Sequence, residues 1–286
     1  MSWLIIGTVP YESFPLVLSQ CRLAGNQLRL NSETVSVSRG TPALLAAACL
    51  GAEVLGLQPP TAMLVGDTGR GEGSVRLYRH LVETFSERSE KVLVFHYLQP
   101  DVDWHNRILL KLDDLSNRPI LVADAGYMYV AKMSGFSLSY DLFTPDVGEM
   151  AFLADESAPH PFYTRGFLLQ DEERVPELIQ RAYENDNAAR CLLVKGRSDY
   201  VASAAKIISK ISEPCVATME PIGGTGDTLT GIVAAMIAYG YSVPYAATNA
   251  ARANRIMGLL ANPTPAFSVA QLLPALPKAL ETVLSS

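Results

Sequence analysis

Short, uniformly apolar runs alternate along this chain with longer stretches in which apolar residues recur every three or four positions. Residues 62–66 (AMLVG), 91–97 (KVLVFHY), 119–123 (PILVA), 140–144 (YDLFT) and 191–195 (CLLVK) are of the first kind and predict strands. The second kind includes 74–85, where Val75, Tyr78, Leu81, Val82 and Phe85 share a helical face, and 104–115, with Ile108, Leu109, Leu112 and Leu115. A further helix is predicted over 172–189 from Val175, Leu178, Ile179, Ala182 and Tyr183. Strands this short, with no polar alternation, must be covered on both faces, which predicts a parallel sheet between two helical layers.

The alternation breaks between 199 and 214, where 200–203 and 206–211 predict an antiparallel hairpin at the sheet edge. Helices are predicted over 225–239, 244–260 and 269–284, the last after the turn Asn262-Pro-Thr-Pro. Residues 16–30 fit helix or strand, and 32–39 (SETVSVSR) alternate like a half-exposed strand. With no linker, repeat or low-complexity tract, residues 1–286 are expected to form one α/β domain.

Composition narrows the class. Of 286 residues, 49% are hydrophobic and 18% charged, against a usual charged share of about 25%, which excludes a disordered or fibrous chain. The 23 Lys and Arg against 29 Asp and Glu give a net charge of −6 and a pI near 5.3. An acidic chain without basic clusters is not expected to bind nucleic acid. The first residues lack a basic segment and break their apolar run at Gly7 and Pro10, and residues 229–239 are far shorter than the ~20 residues a bilayer requires. The expectation is a soluble cytoplasmic protein with no membrane partner. Cys21, Cys49, Cys191 and Cys215 form no CxxC pair and read as free buried thiols; His80, His96, His105 and His160 form no HExxH. Mean hydropathy is +0.16. Met236, Ile237 and Tyr239 on one predicted helix, with Ile256, Met257, Leu259 and Leu260 on the next, exceed what one helical face covers. That predicts a homo-oligomer, with fold-back of the last helix as the competing cover.

Ligands of parallel α/β sheets bind beyond the carboxyl ends of the strands. Those ends supply Asp67, Asp124, Thr144-Pro-Asp-Val-Gly-Glu149 and Lys195-Gly196. Asp124, Asp146 and Glu149 on one rim suit the vicinity of a substrate or of a hydrated divalent cation, although Asp67 and Asp146 serve equally well as helix N-caps. The most informative stretch is Gly223-Gly-Thr-Gly-Asp-Thr-Leu-Thr-Gly231, which opens the most apolar helix. Gly223, Gly224, Thr225 and Gly226 bring backbone N–H groups and a helix dipole to one concavity, an anion hole suited to a phosphoryl group. Asp227, in the first turn, is placed to take a proton from an attacking hydroxyl. The competing reading is a flexible turn followed by an acid that the dipole alone favours. Gly66–Gly73 has GxGxG rather than GxGxxG spacing, and no GxxxxGK[ST] occurs. Gly40-Thr-Pro, opening the predicted helix at 43–50, reads as packing rather than chemistry, and Tyr127, Met128 and Tyr129 read as core.

In order and content these features resemble the ribokinase-like superfamily, from about residue 64 to 280. That resemblance implies a three-layer αβα sandwich with a mostly parallel central sheet. Thr144-Pro-Asp-Val-Gly-Glu149, Val194-Lys-Gly196 and Gly223-Gly-Thr-Gly-Asp-Thr-Leu-Thr-Gly231 are similar to segments of one branch, the ADP- or ATP-dependent NAD(P)H-hydrate dehydratases. These phosphorylate the hydroxyl of a hydrated nicotinamide and then eliminate phosphate. The resemblance implies Asp227 as catalytic base and Gly224 to Gly226 as anion hole. It puts Lys195 and Gly196 near ADP or ATP, and makes Glu149 an organiser of phosphate or Mg2+. The branch has His-Pro where this chain has Asp146-Val147, Gly-Pro-Gly-Leu-Gly where it has 97–102, and Asp-Ala-Asp-Ala-Leu where it has Asp124-Ala-Gly-Tyr-Met. Two alternatives therefore stand beside the dehydratase: a kinase of a small sugar, vitamin or thiazole alcohol, and a nucleotide-binding protein with impaired turnover.

Overall fold

The protein is described here as a computed structural model, which describes residues 1–158 and 172–285; His160 lies outside them. The strands are β1 (Trp3–Val9), β2 (Val17–Ala24), β3 (Gln27–Leu30), β4 (Glu33–Ser36), β5 (Thr61–Gly66), β6 (Val92–His96), β7 (Ile120–Ala123), β8 (Leu142–Phe143), β9 (Cys191–Val194), β10 (Asp199–Ser203) and β11 (Lys206–Ile211). The helices are α1 (Thr41–Val54), α2 (Glu72–Thr84), α3 (Val102–Asp113), α4 (Gly126–Met133), α5 (Val147–Ala154), α6 (Val175–Glu184), α7 (Thr225–Tyr239), α8 (Val243–Ala261), α9 (Val269–Leu272) and α10 (Leu276–Leu284).

The eleven strands of the described residues join one sheet, in the order β11-β10-β9-β8-β7-β6-β1-β5-β2-β3-β4. The six from β9 to β5 run parallel, and antiparallel strands extend both edges. Successive side chains of a strand point to opposite faces, so each central strand feeds two cores. Ile5, Leu64, Val94, Val122 and Leu193 meet α1, α7, α8 and α10 on one side. Leu4, Ile6, Met63, Phe95, Leu121 and Leu192 meet α2, α3, α4, α5 and α6 on the other. The result is the expected three-layer sandwich with a mostly parallel sheet. No helix among the described residues is long and apolar enough to cross a membrane.

Several elements depart from the pattern-based reading. β1, which periodicity left unassigned, is wholly buried between β5 and β6. Its Gly7 belongs to the strand: a Cβ there would lie 2.7 Å from the His96 carbonyl oxygen and 2.9 Å from the Thr41 side chain. The stretch 16–30 is a strand pair, β2 and β3, because Cys21, Leu28 and Leu30 are buried while their neighbours face solvent. The helix expected over 172–189 spans only Val175–Glu184. Pro176 is confined to its first turn, and the chain turns off at Asn185 and Asp186, the latter at φ 55°. The helix expected over 269–284 is split by a 3-10 turn at Leu273–Ala275, since Pro274 and Pro277 cannot donate to a continuous ladder. Of the four cysteines expected to be buried, Cys215 is exposed.

Small residues set the distance between α1 and α7. A Cβ on Gly231 would lie 2.2 Å from the Leu44 carbonyl oxygen, and one on Gly51 2.8 Å from the Ala235 methyl. The two helices therefore pack closely and bring both their N-termini to one rim of the sheet. On the outer side α10 packs against α8 and α1. Met236 and Ile237 of α7 and Met257 of α8 are fully buried, while Tyr239, Leu259 and Leu260 stay exposed. Fold-back of the last helix thus accounts for part of the apolar excess.

Candidate active site

The carboxyl ends of β6, β7, β8 and β9 and the N-termini of α1 and α7 converge on one cluster: His96, Asp124, Asp227 and Lys195, with Asp146 and Glu149 at its flank. Asp124, immediately after β7, is fully buried. Its Oδ1 accepts from the Ala125 N–H at 2.8 Å and from Lys195 Nζ at 2.9 Å. Its Oδ2 accepts from the Thr230 hydroxyl at 2.6 Å and again from Lys195 at 3.0 Å. Lys195 follows β9, and its stem lies 3.5 Å from where a Cβ on Gly226 would stand. Burial works against the Lys195 ammonium, but the carboxylates of Asp124, Glu149 and Asp227 raise its pKa above the usual lysine value.

Asp227 stands in the first turn of α7, after the N-cap Gly224 at φ 104°. Thr225, Gly226 and Asp227 are first-turn residues whose N–H groups find no carbonyl within their own helix. The turn is held from α8: the Thr228 hydroxyl bonds Asn254 Oδ1 at 2.7 Å, and Asn254 Nδ2 donates to the Thr225 carbonyl at 3.1 Å. The stem of Arg39, an exposed residue, lies against Gly223 and Gly224.

Asp227 Oδ2 accepts the Gly40 N–H at 2.6 Å, and its Oδ1 lies 3.1 Å from His96 Nε2. Burial pushes the Asp227 carboxyl up, but His96, Lys195 and the Gly40 amide together bring it below the usual aspartate value. The expectation that Gly40 serves packing alone is therefore corrected, because its amide holds the acid that was singled out. His96 sits at the end of β6 and was not identified from sequence. The only sequence signal for it is a buried polar residue closing an otherwise apolar strand.

Asp146 and Glu149 form a capping box at the start of α5. Asp146 Oδ1 accepts the Glu149 N–H at 2.7 Å, and Glu149 Oε2 accepts the Asp146 N–H at 2.8 Å. The Tyr129 hydroxyl donates to Glu149 Oε1 at 3.0 Å. Burial pushes the Glu149 carboxyl up to about 8, with Asp146 adding to the shift and Lys195 opposing it. The N-cap reading of Asp146 holds, and the residue lies beside Lys195, bridged to it along the backbone. Asp67 is not part of the cluster. It braces its own loop by accepting from the Gly69, Gly71 and Ser74 amides and the Ser74 hydroxyl.

The Lys195–Gly196 turn is tied down by Arg255 of α8. The guanidinium donates to Asp199 Oδ2 at 2.7 Å, to the Gly196 carbonyl at 3.0 Å and to the Arg197 carbonyl at 2.8 Å. Ligand atoms of His96, Asp124 and Asp227 lie within 4.8 Å of one another, but the Lys195 ammonium already serves both Asp124 oxygens and acts as that cluster's cation. Asp146 and Glu149 offer further oxygen donors that could hold a divalent cation. Tyr97, half exposed and held at φ 53°, overhangs the cluster with its ring edge-on to His96 at 4.6 Å. Its carbonyl accepts the Thr8 hydroxyl at 2.6 Å.

Comparison with known proteins supplies an independent line. Residues 100–278 match the family described as NAD(P)H-hydrate dehydratase. A curated but uncharacterized protein of Methanocaldococcus jannaschii is 40% identical over 220 residues, covering 77% of this chain and 90% of that one. Among solved structures, ribokinase from Thermotoga maritima matches over 100% of both chains with a TM-score of 0.58 and 14% identity. Pyridoxal kinase from Staphylococcus aureus, solved with AMP-PCP and pyridoxal, matches over 90% of this chain and 88% of its own, with a TM-score of 0.56 and 12% identity. Likenesses at this level of identity establish the fold, which is ribokinase-like.

Proposed function

The chain belongs to the carbohydrate-kinase-like family described as NAD(P)H-hydrate dehydratase, and from that premise we propose that it transfers phosphate from ADP or ATP to the hydroxyl of a hydrated nicotinamide nucleotide and then eliminates it. The observation that carries this reading is the placement of Asp227. It is a largely buried carboxylate in the first turn of α7, directly behind Gly223 to Gly226 and between two helix N-termini.

Asp227 accepts the hydroxyl proton as the substrate oxygen attacks the terminal phosphoryl group. The new O–P bond forms as the bridging P–O bond breaks, and the leaving nucleotide takes that electron pair. The first-turn amides of α7 and the Lys195 ammonium face the charge that develops. In the second stage the C–O bond breaks, its electrons leave with phosphate, and loss of a proton from the neighbouring carbon restores the ring double bond. Gly196 and the exposed Arg39 flank the phosphate path on the nucleotide side. Asp146 and Glu149 would hold Mg2+, which would neutralise phosphate charge. The half-exposed Tyr97 ring beside the base supports an acceptor whose hydroxyl is carried on a ring. The exposed residues Tyr239, Leu259 and Leu260 support a homo-oligomer.

A second reading, a kinase of a small ring-bearing alcohol, is favoured by the departures from the dehydratase pattern at Asp146-Val147 and 97–102. One assay separates the two. The purified protein is incubated with an NADH-hydrate mixture, Mg2+ and either ADP or ATP, and the near-ultraviolet absorbance of the reduced ring is followed. Recovery of that absorbance with release of phosphate is expected. Nucleotide consumption that needs a ring alcohol such as pyridoxal and never restores absorbance would establish the kinase; nucleotide binding without turnover would refute both.

A further inference from the structure

His96 is a fully buried titratable side chain of the cluster to which the scheme above gives no task. It occupies the end of β6, in register with Gly7 of β1. The missing side chain at Gly7 leaves the space in which Thr41 reaches the imidazole. Nδ1 is paired with the Thr41 hydroxyl at 2.9 Å, and Thr41 is itself buried. Nε2 faces Asp227 Oδ1 at 3.1 Å and Asp124 Oδ2 at 3.6 Å. The charged or titratable groups around the ring are thus Asp227 from α7, Asp124 after β7, Lys195 on the far side of Asp124, and Tyr97 edge-on.

We propose that His96 is a positioning residue for Asp227, its Nε2–H fixing Oδ1 while the Gly40 N–H fixes Oδ2, with Thr41 donating to Nδ1 to set that tautomer. The proposal rests on the reading of Asp227 as the base. A carboxylate can rotate about its last bond, and rotation carries the accepting lone pair away from an incoming hydroxyl. Two donors from different elements, one on each oxygen, remove that freedom and leave one lone pair free on each oxygen. Asp124 cannot compete for the imidazole proton on equal terms, because Lys195 and Thr230 already serve its oxygens at 2.6 to 3.0 Å. The order seen in serine hydrolases, where a carboxylate orients a histidine base, is here reversed.

The test combines kinetics with a spectroscopic signature. In full-length protein carrying 15N-histidine, long-range 1H–15N spectra of the parent and of His96→Gln identify the His96 signals. A proton on Nε2 with Nδ1 accepting is expected, together with displacement of the Nε2 signal in Asp227→Asn. A proton on Nδ1, or signals indifferent to Asp227→Asn, would overturn the proposal whether or not turnover is detected. In the hydrate assay, Thr41→Val, which is isosteric, is expected to lower kcat about fivefold, and His96→Ala about 30-fold. Their Kd for ADP should stay within about twofold of the parent, and His96→Gln, retaining an N–H, should recover part of the loss. A uniform loss of kcat and nucleotide affinity, or parental kcat in His96→Ala, counts against positioning. Asp227→Asn keeps the base reading separate: parental turnover there removes the base itself, whereas abolished turnover there with parental kcat in His96→Ala removes only the clamp.

Discussion

Removing the Lys195 ammonium would leave the buried Asp124 carboxylate without its cation and beside Asp227 and the Glu149 carboxyl. The Asp124 side chain is 2% exposed and that of Lys195 12%, so water could replace the ammonium only in part. Lys195→Met is therefore expected to cost about 3–5 kcal/mol in urea unfolding, with Asp124→Asn in the same chain recovering a good part of it. A loss below about 1 kcal/mol would mean that Asp124 finds another partner. Glu149 makes a pH-dependent prediction. Its carboxyl is raised from an ordinary 4.5 to about 8, so the folded state favours the protonated form. The stability this gives is complete below pH 4.5 and is lost as pH rises through about 8. Glu149→Gln abolishes the titration, so the melting temperature of the variant relative to the parent should climb steadily over that window. A difference flat with pH would show that Glu149 is already ionised.

At the scale of one element, the start of α7 separates two roles that glycine plays. Gly224 takes φ 104°, and a Cβ on it would meet Arg39 Cα at 3.1 Å and the Val269 side chain at 3.2 Å. Gly224→Ala should thus cost about 1–2 kcal/mol for the left-handed backbone and more for the crowding, read as a lowered urea midpoint. Gly226 has room: the nearest atoms to its Cβ belong to the flexible Lys195 side chain, at 3.5 Å and beyond. Gly226→Ala should keep or slightly raise stability, since alanine is the better helix residue by about 1 kcal/mol. If the first turn of α7 is the anion hole, the substitution should nonetheless weaken ADP binding by about tenfold, because the methyl group would crowd an anion approaching the backbone. Unchanged ADP affinity, measured by calorimetry, would remove the anion hole from the first turn of α7.

For the whole molecule, the outer layer of helices decides how the chain meets its neighbours. α10 covers much of α8, yet Tyr239, Leu259 and Leu260 remain 48%, 55% and 47% exposed. Tyr239, Tyr241 and Tyr245 form a run of rings with centroids 5.0 and 4.9 Å apart. Burial of these residues between subunits predicts a multiple of 31.0 kDa by light scattering at micromolar concentration. A single 31.0 kDa species would show that a monomer carries them in water.

Local pattern was enough for the layered architecture, because period-two and period-3.6 burial is written into consecutive residues. The parallel strands β5 to β9, the edge hairpin and the bounds of α7 all came from it. So did Asp227 with its glycines, since a carboxylate at the mouth of an apolar helix is a local feature. Three things depended on tertiary structure. β1 carries a glycine whose purpose appears only when His96 and Thr41 lie against it. The α10 contact with α8 was one of two equally good covers for the same apolar residues. The members of the cluster are far apart in sequence: Gly40 and Asp227 are separated by 187 positions and His96 and Asp227 by 131. No spacing rule links such residues. What joins them is strand order, which sets β6 and β7 side by side, and the small side chains that let α1 approach α7. The sequence by itself thus determined the layers and brought Asp227 to the mouth of α7, while packing decided which amide and imidazole meet its carboxylate.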